Sequence, residues 1–384
     1  MNFAETEEHT ALRQAVGAIT DKFGSDYFTS RALAHESTDE LWKALADSGF
    51  IGINLPEEYG GGGAGMTELA IVCEETAAHG CPLLLLLVSS AISGELIAKY
   101  GTDIQKRTWL PRMAAGETKV VFAITEPDAG SNTHRLSTRA VRDGDDYVLS
   151  GEKYYISGVD EAEALVVVAA TGREPDSGRS QLSLFLVPTD APGLNHQVLP
   201  VGVSLPEKQF TLHFDNVRVP ASSLLGSENE GFAQVFDGLN PERITGAAIC
   251  VGIGRFALDR ASEYARTRTV WDQPIGTHQG VSHPLAQARI EVQLAALATA
   301  RAAWLHENGL PAAEASNIAK YAAAEAAVGA ADTAIQVHGG NGLSNEYGLL
   351  PQWGLARLLR IAPVSREMIL NYVAQHSLRL PRSY

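Results

Sequence analysis

The stretch Ala123–Asn132, AITEPDAGSN, joins a hydroxyl at Thr125, an acid and a proline to the small run Ala129-Gly130-Ser131. That pattern reads as a strand end turning sharply into a loop, presenting backbone amides and short hydroxyls together without bulk. Such a surface suits a flat polar ring and a phosphate-bearing ligand, because small residues let the backbone approach closely. A second glycine-rich stretch, Tyr59–Gly65 (YGGGGAG), lacks the Gly-Lys-Ser/Thr of a phosphate cradle. It reads as a flexible turn between helices. Metal chemistry finds no footing. There is no HExxH, the histidines lack ligand spacing, and Cys73, Cys81 and Cys250 form no CxxC.

Composition narrows the classes further. With 384 residues the chain has room for two or three domains, each with its own core. A hydrophobic content of 45% and a charged content of 20% describe an ordinary globular protein. The net charge of −15 argues against nucleic acid and anionic membrane as partners, since both need a basic footprint. An anionic ligand must then be met by locally gathered Arg and Lys. Three scattered cysteines fit a reducing compartment, which points to the cytoplasm. The N-terminal MNFAETEEHTALRQAV is acidic and amphipathic, unlike a signal or transit peptide. The apolar run Pro82–Val88 is too short to span a bilayer and reads as buried helix.

These residues need elements to hold them, and the pattern changes twice along the chain. Residues 1–119 are helical in pattern, with breaks at Gly24, Gly49 and Pro56. Across residues 120–230 the runs are short, often β-branched and separated by turns, as in QLSLFLVP and KQFTLHFDNVRVP. Asp143-Gly144 between two such runs is a hairpin signal, so this part reads as an antiparallel β domain. Residues 231–384 return to long, alanine-rich amphipathic helices suited to close packing. The class is α+β. The absence of βαβ alternation argues against a Rossmann fold even though a dinucleotide is expected.

That three-part order, together with its motifs, resembles the acyl-CoA dehydrogenase family over nearly the whole chain. TEPDAGSN (125–132) is similar to the family's T-E-P-x-A-G-S-D, with Asn132 in the last place. PEEYGG (56–61), GEKYYIS (151–157), the stretch from ARTRTVWDQPIG to Gln279, and QVHGGNGLSNEYG (336–348) resemble four further family segments, in order. The resemblance implies an N-terminal helical domain, a middle β domain, a C-terminal helical bundle and bound FAD. It implies that Phe122, Ile124 and Thr125 line the flavin, Thr125 at the pyrimidine edge. Tyr155 would pack on the isoalloxazine and Ser157 would bond near N5; without the resemblance Tyr154 and Tyr155 read as ordinary strand aromatics. Arg268 would reach into a neighbouring subunit to grip the FAD pyrophosphate, which a guanidinium fork matches. His278 and Gln279 would assist at the adenine. Gln336, Gly339 and Gly340 would let backbone touch the cofactor, and Gly339-Gly340 also reads as a helix C-cap. Ser131 would contact both the cofactor and the thioester end of the substrate.

The family reaction needs a carboxylate near the alpha carbon and donors for the thioester oxygen. Most members carry the base in a C-terminal I-Y-E-G-T. Here the matching stretch is Ile361-Ala362-Pro363-Val364-Ser365, so the glutamate position is Pro363, which also has no N–H to donate. The isovaleryl and long-chain types instead place the base just before an arginine on an earlier helix. Asn240-Pro241-Glu242-Arg243 occupies that place. Glu242 is thereby expected as the base, with Arg243 orienting it and with Asn240 and Arg243 at the substrate. Pro241 is expected in the first turn of that helix.

The resemblance implies dehydrogenation of an acyl-CoA to a trans-2-enoyl-CoA, with electrons passed to an electron-transfer flavoprotein. A non-catalytic subunit of an α2β2 hetero-oligomer and a related flavin monooxygenase or oxidase are the alternatives. The family implies a homotetramer. Branched, short, aromatic and steroid-like thioesters, and an acyl-carrier-protein substrate, all stay open.

Overall fold

The computed structural model describes residues 5–174 and 178–382; residues 1–4 of the acidic N-terminal segment, 175–177 and 383–384 lie outside the described residues. The chain opens with α1 (Glu7–Thr20), whose first turn is capped by the Thr6 hydroxyl accepting from the His9 N–H at 3.1 Å. Then come α2 (Gly24–Ala34), α3 (Asp39–Ala46) and α4 (Met66–Ala78). The apolar run beyond Pro82 enters a π-helical stretch, Leu86–Gly94, continuing into α5 (Glu95–Tyr100), and α6 (Asp103–Ala114) follows. Its buried serines find partners within the protein. Ser89 accepts from the Val120 N–H at 3.1 Å, and Ser90 donates to the Ile51 carbonyl at 2.9 Å. The first of these bonds fastens the start of the β domain to the helical one.

The Tyr59–Gly65 loop is ordered by its own backbone rather than flexible. The N–H groups of Gly61, Gly62, Gly63 and Ala64 donate to the carbonyls of Pro56, Gly52, Leu55 and Ile53. A Cβ at Gly61 would lie 2.2 Å from the Leu55 oxygen. Its amides are spent internally, so none is left for a phosphate.

The middle sheet runs in the order β6-β7-β3-β2-β4-β5-β8, with β1 beside β4. The strands are β1 (Val120–Ala123), β2 (Arg139–Asp143), β3 (Asp146–Ser157), β4 (Ala164–Arg173), β5 (Ser180–Pro188), β6 (Leu194–Leu199), β7 (Gln209–Pro220) and β8 (Leu224–Leu225). The Asp143-Gly144 hairpin forms between β2 and β3. The sheet is not wholly antiparallel, however. β1 pairs with β4 in parallel, and β2 touches β4 in parallel at Arg139–Ala170. β1 arrives from the helical domain rather than through a hairpin, so nothing forces it antiparallel.

The last part contains α7 (Gly231–Thr267), a small hairpin of β9 (Thr269–Val270) and β10 (Gln273–Pro274), α8 (Gln279–Glu307), α9 (Ala313–His338), α10 (Leu349–Ile361) and α11 (Arg366–His376). Small residues set its close packing. A Cβ at Gly252 of α7 would lie 2.2 Å from the Glu74 carbonyl of α4, and one at Gly254 would lie 2.6 Å from Val292 of α8. Buried Ala319, Ala323, Ala327 and Ala330 of α9 serve the same end. Among the described residues no helix is long and apolar enough to cross a membrane.

Candidate active site

Glu126, the acid inside the TEPDAGSN turn, organises the first cluster. It is buried, accepting from the Ser137 N–H at 2.6 Å, the Thr138 N–H at 3.0 Å and Lys153 Nζ at 2.9 Å. Burial alone would raise its pKa, but Lys153 and these donors outweigh it and hold the carboxyl at about 2. The fully buried Lys153 is pulled down to about 8 by burial, with Glu126 opposing. Lys153 also donates to the Ile124 carbonyl at 2.9 Å, and the Tyr154 N–H donates to the Thr125 carbonyl at 2.8 Å. The end of β1 and the strand β3 are thus fastened side by side. Phe122, Ile124, Thr125, Tyr155 and Ser157 sit on these adjacent segments.

Tyr155 adopts a φ of 58°, in a bulge of β3 between Lys153 and Ile156. Its ring is 54% exposed, unusual for an aromatic on an inner strand. Ser157 donates to Gln209 Oε1 at 3.0 Å across the strands, and the buried Gln209 Nε2 has no partner in the protein. Gly130 leaves its side open, since a Cβ there would meet nothing. Ser131 lies exposed on the same loop, and His134 stacks on Phe232 of α7 with ring centroids 4.8 Å apart. The loop therefore closes against the helix that carries the expected base.

On α7, Phe232, Phe236, Asn240 and Arg243 follow helical spacing along one face, running from two exposed aromatics through the half-buried Asn240 to the buried Arg243. The aromatic pair was missed in the sequence, although the i,i+4 interval was visible. Pro241 is not in a first turn: it lies inside a 37-residue helix that has already run from Gly231. Glu242 therefore does not serve a helix N-terminus. It is 8% exposed, with Oε2 buried and unpartnered. Burial pushes its carboxyl up to about 8, with Arg243 and Lys320 opposing. Arg243 donates to Asn240 Oδ1 at 3.1 Å and makes no ion pair with Glu242, so it acts on the Glu242 carboxyl through charge.

The remaining expected residues form a second cluster. Arg268 caps the far end of α7, 26 residues beyond Glu242, about 39 Å along a helix at ~1.5 Å per residue. With Arg260, Tyr264, His338, Asn341 and Tyr347 it lines a 410 Å³ cavity. Tyr264 and His338 are stacked there, 4.3 Å between centroids. Gln336 is exposed near the end of α9, which Gly339 caps at a φ of 59°. Gly339 and Gly340 both face open space. His278 caps the start of α8 and Gln279 begins it, both exposed. Within one protomer α7 thus holds Arg268 far from Glu242.

The residues present fit a flavin dinucleotide. An exposed aromatic on a bulge, a buried amide without an acceptor and open glycine faces suit a flat, hydrogen-bonding ring. Comparison with known proteins agrees. Residues 6–117, 121–217 and 229–378 match the models of the N-terminal, middle and C-terminal domains of acyl-CoA dehydrogenase. The chain is 55% identical over 385 aligned positions to the acyl-CoA dehydrogenase FadE12 of Mycobacterium tuberculosis, covering 100% of this chain and 99% of that protein. It is 31% identical to the mitochondrial long-chain specific acyl-CoA dehydrogenase of Sus scrofa, covering 96% and 86%. Butyryl-CoA dehydrogenase from Megasphaera elsdenii superposes with a TM-score of 0.92 at 26% identity, covering 99% and 100%. A glutaryl-CoA dehydrogenase from Mycobacterium smegmatis, solved in complex with FADH2, gives 0.92 at 27%, covering 99% and 96%.

The chain belongs to the acyl-CoA dehydrogenase family. As a member it is an FAD-dependent oxidoreductase acting on acyl-CoA thioesters.

Proposed function

We propose that the protein converts a saturated acyl-CoA to its trans-2-enoyl-CoA, with Glu242 as the base at the alpha carbon. The observation that carries this reading is the Glu242 carboxyl itself, buried with one oxygen unpartnered beside two cations. When bound, FAD supplies the acceptor for the hydride leaving the beta carbon. Phe122, Ile124, Thr125, Tyr155 and Ser157 would hold its ring, and the alpha proton would pass to a Glu242 oxygen. Ser131, Asn240 and Arg243 would orient the thioester. Arg268, His278, Gln279, Gln336, Gly339 and Gly340 would hold the dinucleotide tail of a neighbouring subunit. The distance from Glu242 to Arg268 along α7 favours this sharing.

A homotetramer accords with an unpartnered stripe on α8, where Ile290, Leu294, Leu297 and Trp304 are exposed at helical spacing. An electron-transfer flavoprotein as acceptor, a role in beta-oxidation and a cytoplasmic setting complete the reading. Three buried free cysteines suit a reducing compartment. The domain limits we adopt are 1–119, 120–230 and 231–384.

Anaerobic addition of saturated acyl-CoAs to the purified flavoprotein tests the assignment. Flavin bleaching by wild type, reduced at least about a thousandfold in rate by Glu242→Gln, is the expected result. The second reading, a non-catalytic partner subunit, draws on Pro363, whose missing N–H removes a donor from the thioester site. It moves ahead if wild type holds FAD but no thioester bleaches it. Fast reoxidation in air would favour the oxidase alternative.

A further inference from the structure

Lys320 lies in α9 and is 2% exposed. Its Nζ donates to the Val364 carbonyl at 2.6 Å. That oxygen belongs to the short turn between α10 and α11, the turn in which Pro363 lacks an N–H. The Lys320 bond thus ties Val364 to the helical bundle. Burial pulls the Lys320 ammonium down to about 8; Cys250, Glu242 and Glu325 favour its charge and Arg243 opposes it, while Tyr372 of α11 favours the charge of Arg243. An ammonium has three donors, and Val364 takes one.

We propose that Lys320 is a positioning residue, tethering the Pro363-Val364 turn against the base-bearing helix and placing a positive charge beside Glu242. The inference rests on Glu242 being the base. A base must be ionised before it can take the alpha proton, and burial opposes that ionisation. Arg243 is already engaged with Asn240. Below about pH 8, where it keeps its proton, Lys320 is the other cation favouring the carboxylate. The Cys250 thiol, pushed up to about 12 by burial, stays neutral and competes for none of this charge. One side chain therefore couples the turn where the family's usual base is absent to the glutamate that replaces it.

Two substitutions separate the tether from the charge. Lys320→Gln keeps a donor for Val364 and removes the cation, whereas Lys320→Met removes both. The flavin-loaded enzyme would be followed from about pH 6 to 9, reading kcat, KM and melting temperature. In Lys320→Gln the acid limb of kcat/KM is expected to move up by at least about half a pH unit, with KM changed less than about twofold. In Lys320→Met the same limb moves and KM rises about tenfold, because the turn is released. If the methionine variant fails to fold, the glutamine variant decides alone. An acid limb left in place in Lys320→Gln, with only a lowered melting temperature, would overturn the proposal. Glu242→Gln run beside it separates the two levels. Retained bleaching there removes the base and this inference together, while lost bleaching with an unmoved Lys320→Gln limb removes only the inference.

Discussion

Glu242 carries a thermodynamic signature that can be read without substrate. An unfolded glutamate titrates near 4.3, whereas burial pushes the folded carboxyl up to about 8. Between those values the folded state holds the proton that the unfolded state has lost. Stability from this group is therefore fully present below about pH 4 and is lost as pH rises through 8. Glu242→Gln removes that titration. The variant is expected to exceed wild type in stability by on the order of a few kcal/mol at pH 8, with the gap closing towards pH 5. Melting temperatures of both proteins across that range check it; parallel curves would mean that the carboxyl is not proton-loaded. Glu207 offers a second case of the same sign. It is pushed up to about 7, first by burial and then by Glu161, and its Oε2 is buried without a partner. Glu207→Gln is expected to raise the melting temperature at pH 8 and leave it nearly unchanged at pH 5.

Among the elements, the joint between β1 and β3 depends most on one pair. Lys153 and Glu126 are both essentially inaccessible, so removing one leaves the other's charge in the core. Lys153→Met is expected to cost about 3–5 kcal/mol, and adding Glu126→Gln to recover part of that loss. Denaturant titration of the two variants measures both steps. The pair also marks where sequence reading stops. The α-β-α order was legible because composition and hairpin chemistry are local. The grip of Lys153 on Ile124 and of Lys320 on Val364 spans 29 and 44 residues, and no periodicity encodes such pairings. Pro241 misled because a proline that suits a first turn also survives inside a long helix when packing holds its neighbours. The Tyr59–Gly65 loop misled because its rigidity comes from carbonyls of Gly52, Ile53 and Leu55, which become acceptors only once the chain folds back on them. The parallel entry of β1 was illegible for the same reason: its partner β4 lies about forty residues on.

For the whole molecule the decisive quantity is the reach of α7. Glu242 and Arg268 share this one helix but stand about 39 Å apart along it, at ~1.5 Å per residue. If each site takes Glu242 from one chain and Arg268 from its neighbour, two inactive variants should repair each other. Chains carrying Glu242→Gln retain Arg268, and chains carrying Arg268→Ala retain Glu242. Unfolded together in equal amounts and refolded with FAD, half of the paired units would be mixed, and each mixed unit would hold one intact site of two. Random pairing thus predicts activity near a quarter of wild type, from parents that are each nearly inactive. The same mixture left as folded homo-oligomers should stay inactive until its subunits exchange. Recovery that tracks exchange would establish the shared site. A refolded mixture no more active than its parents would instead require Arg268 to act within its own chain or not on the cofactor at all.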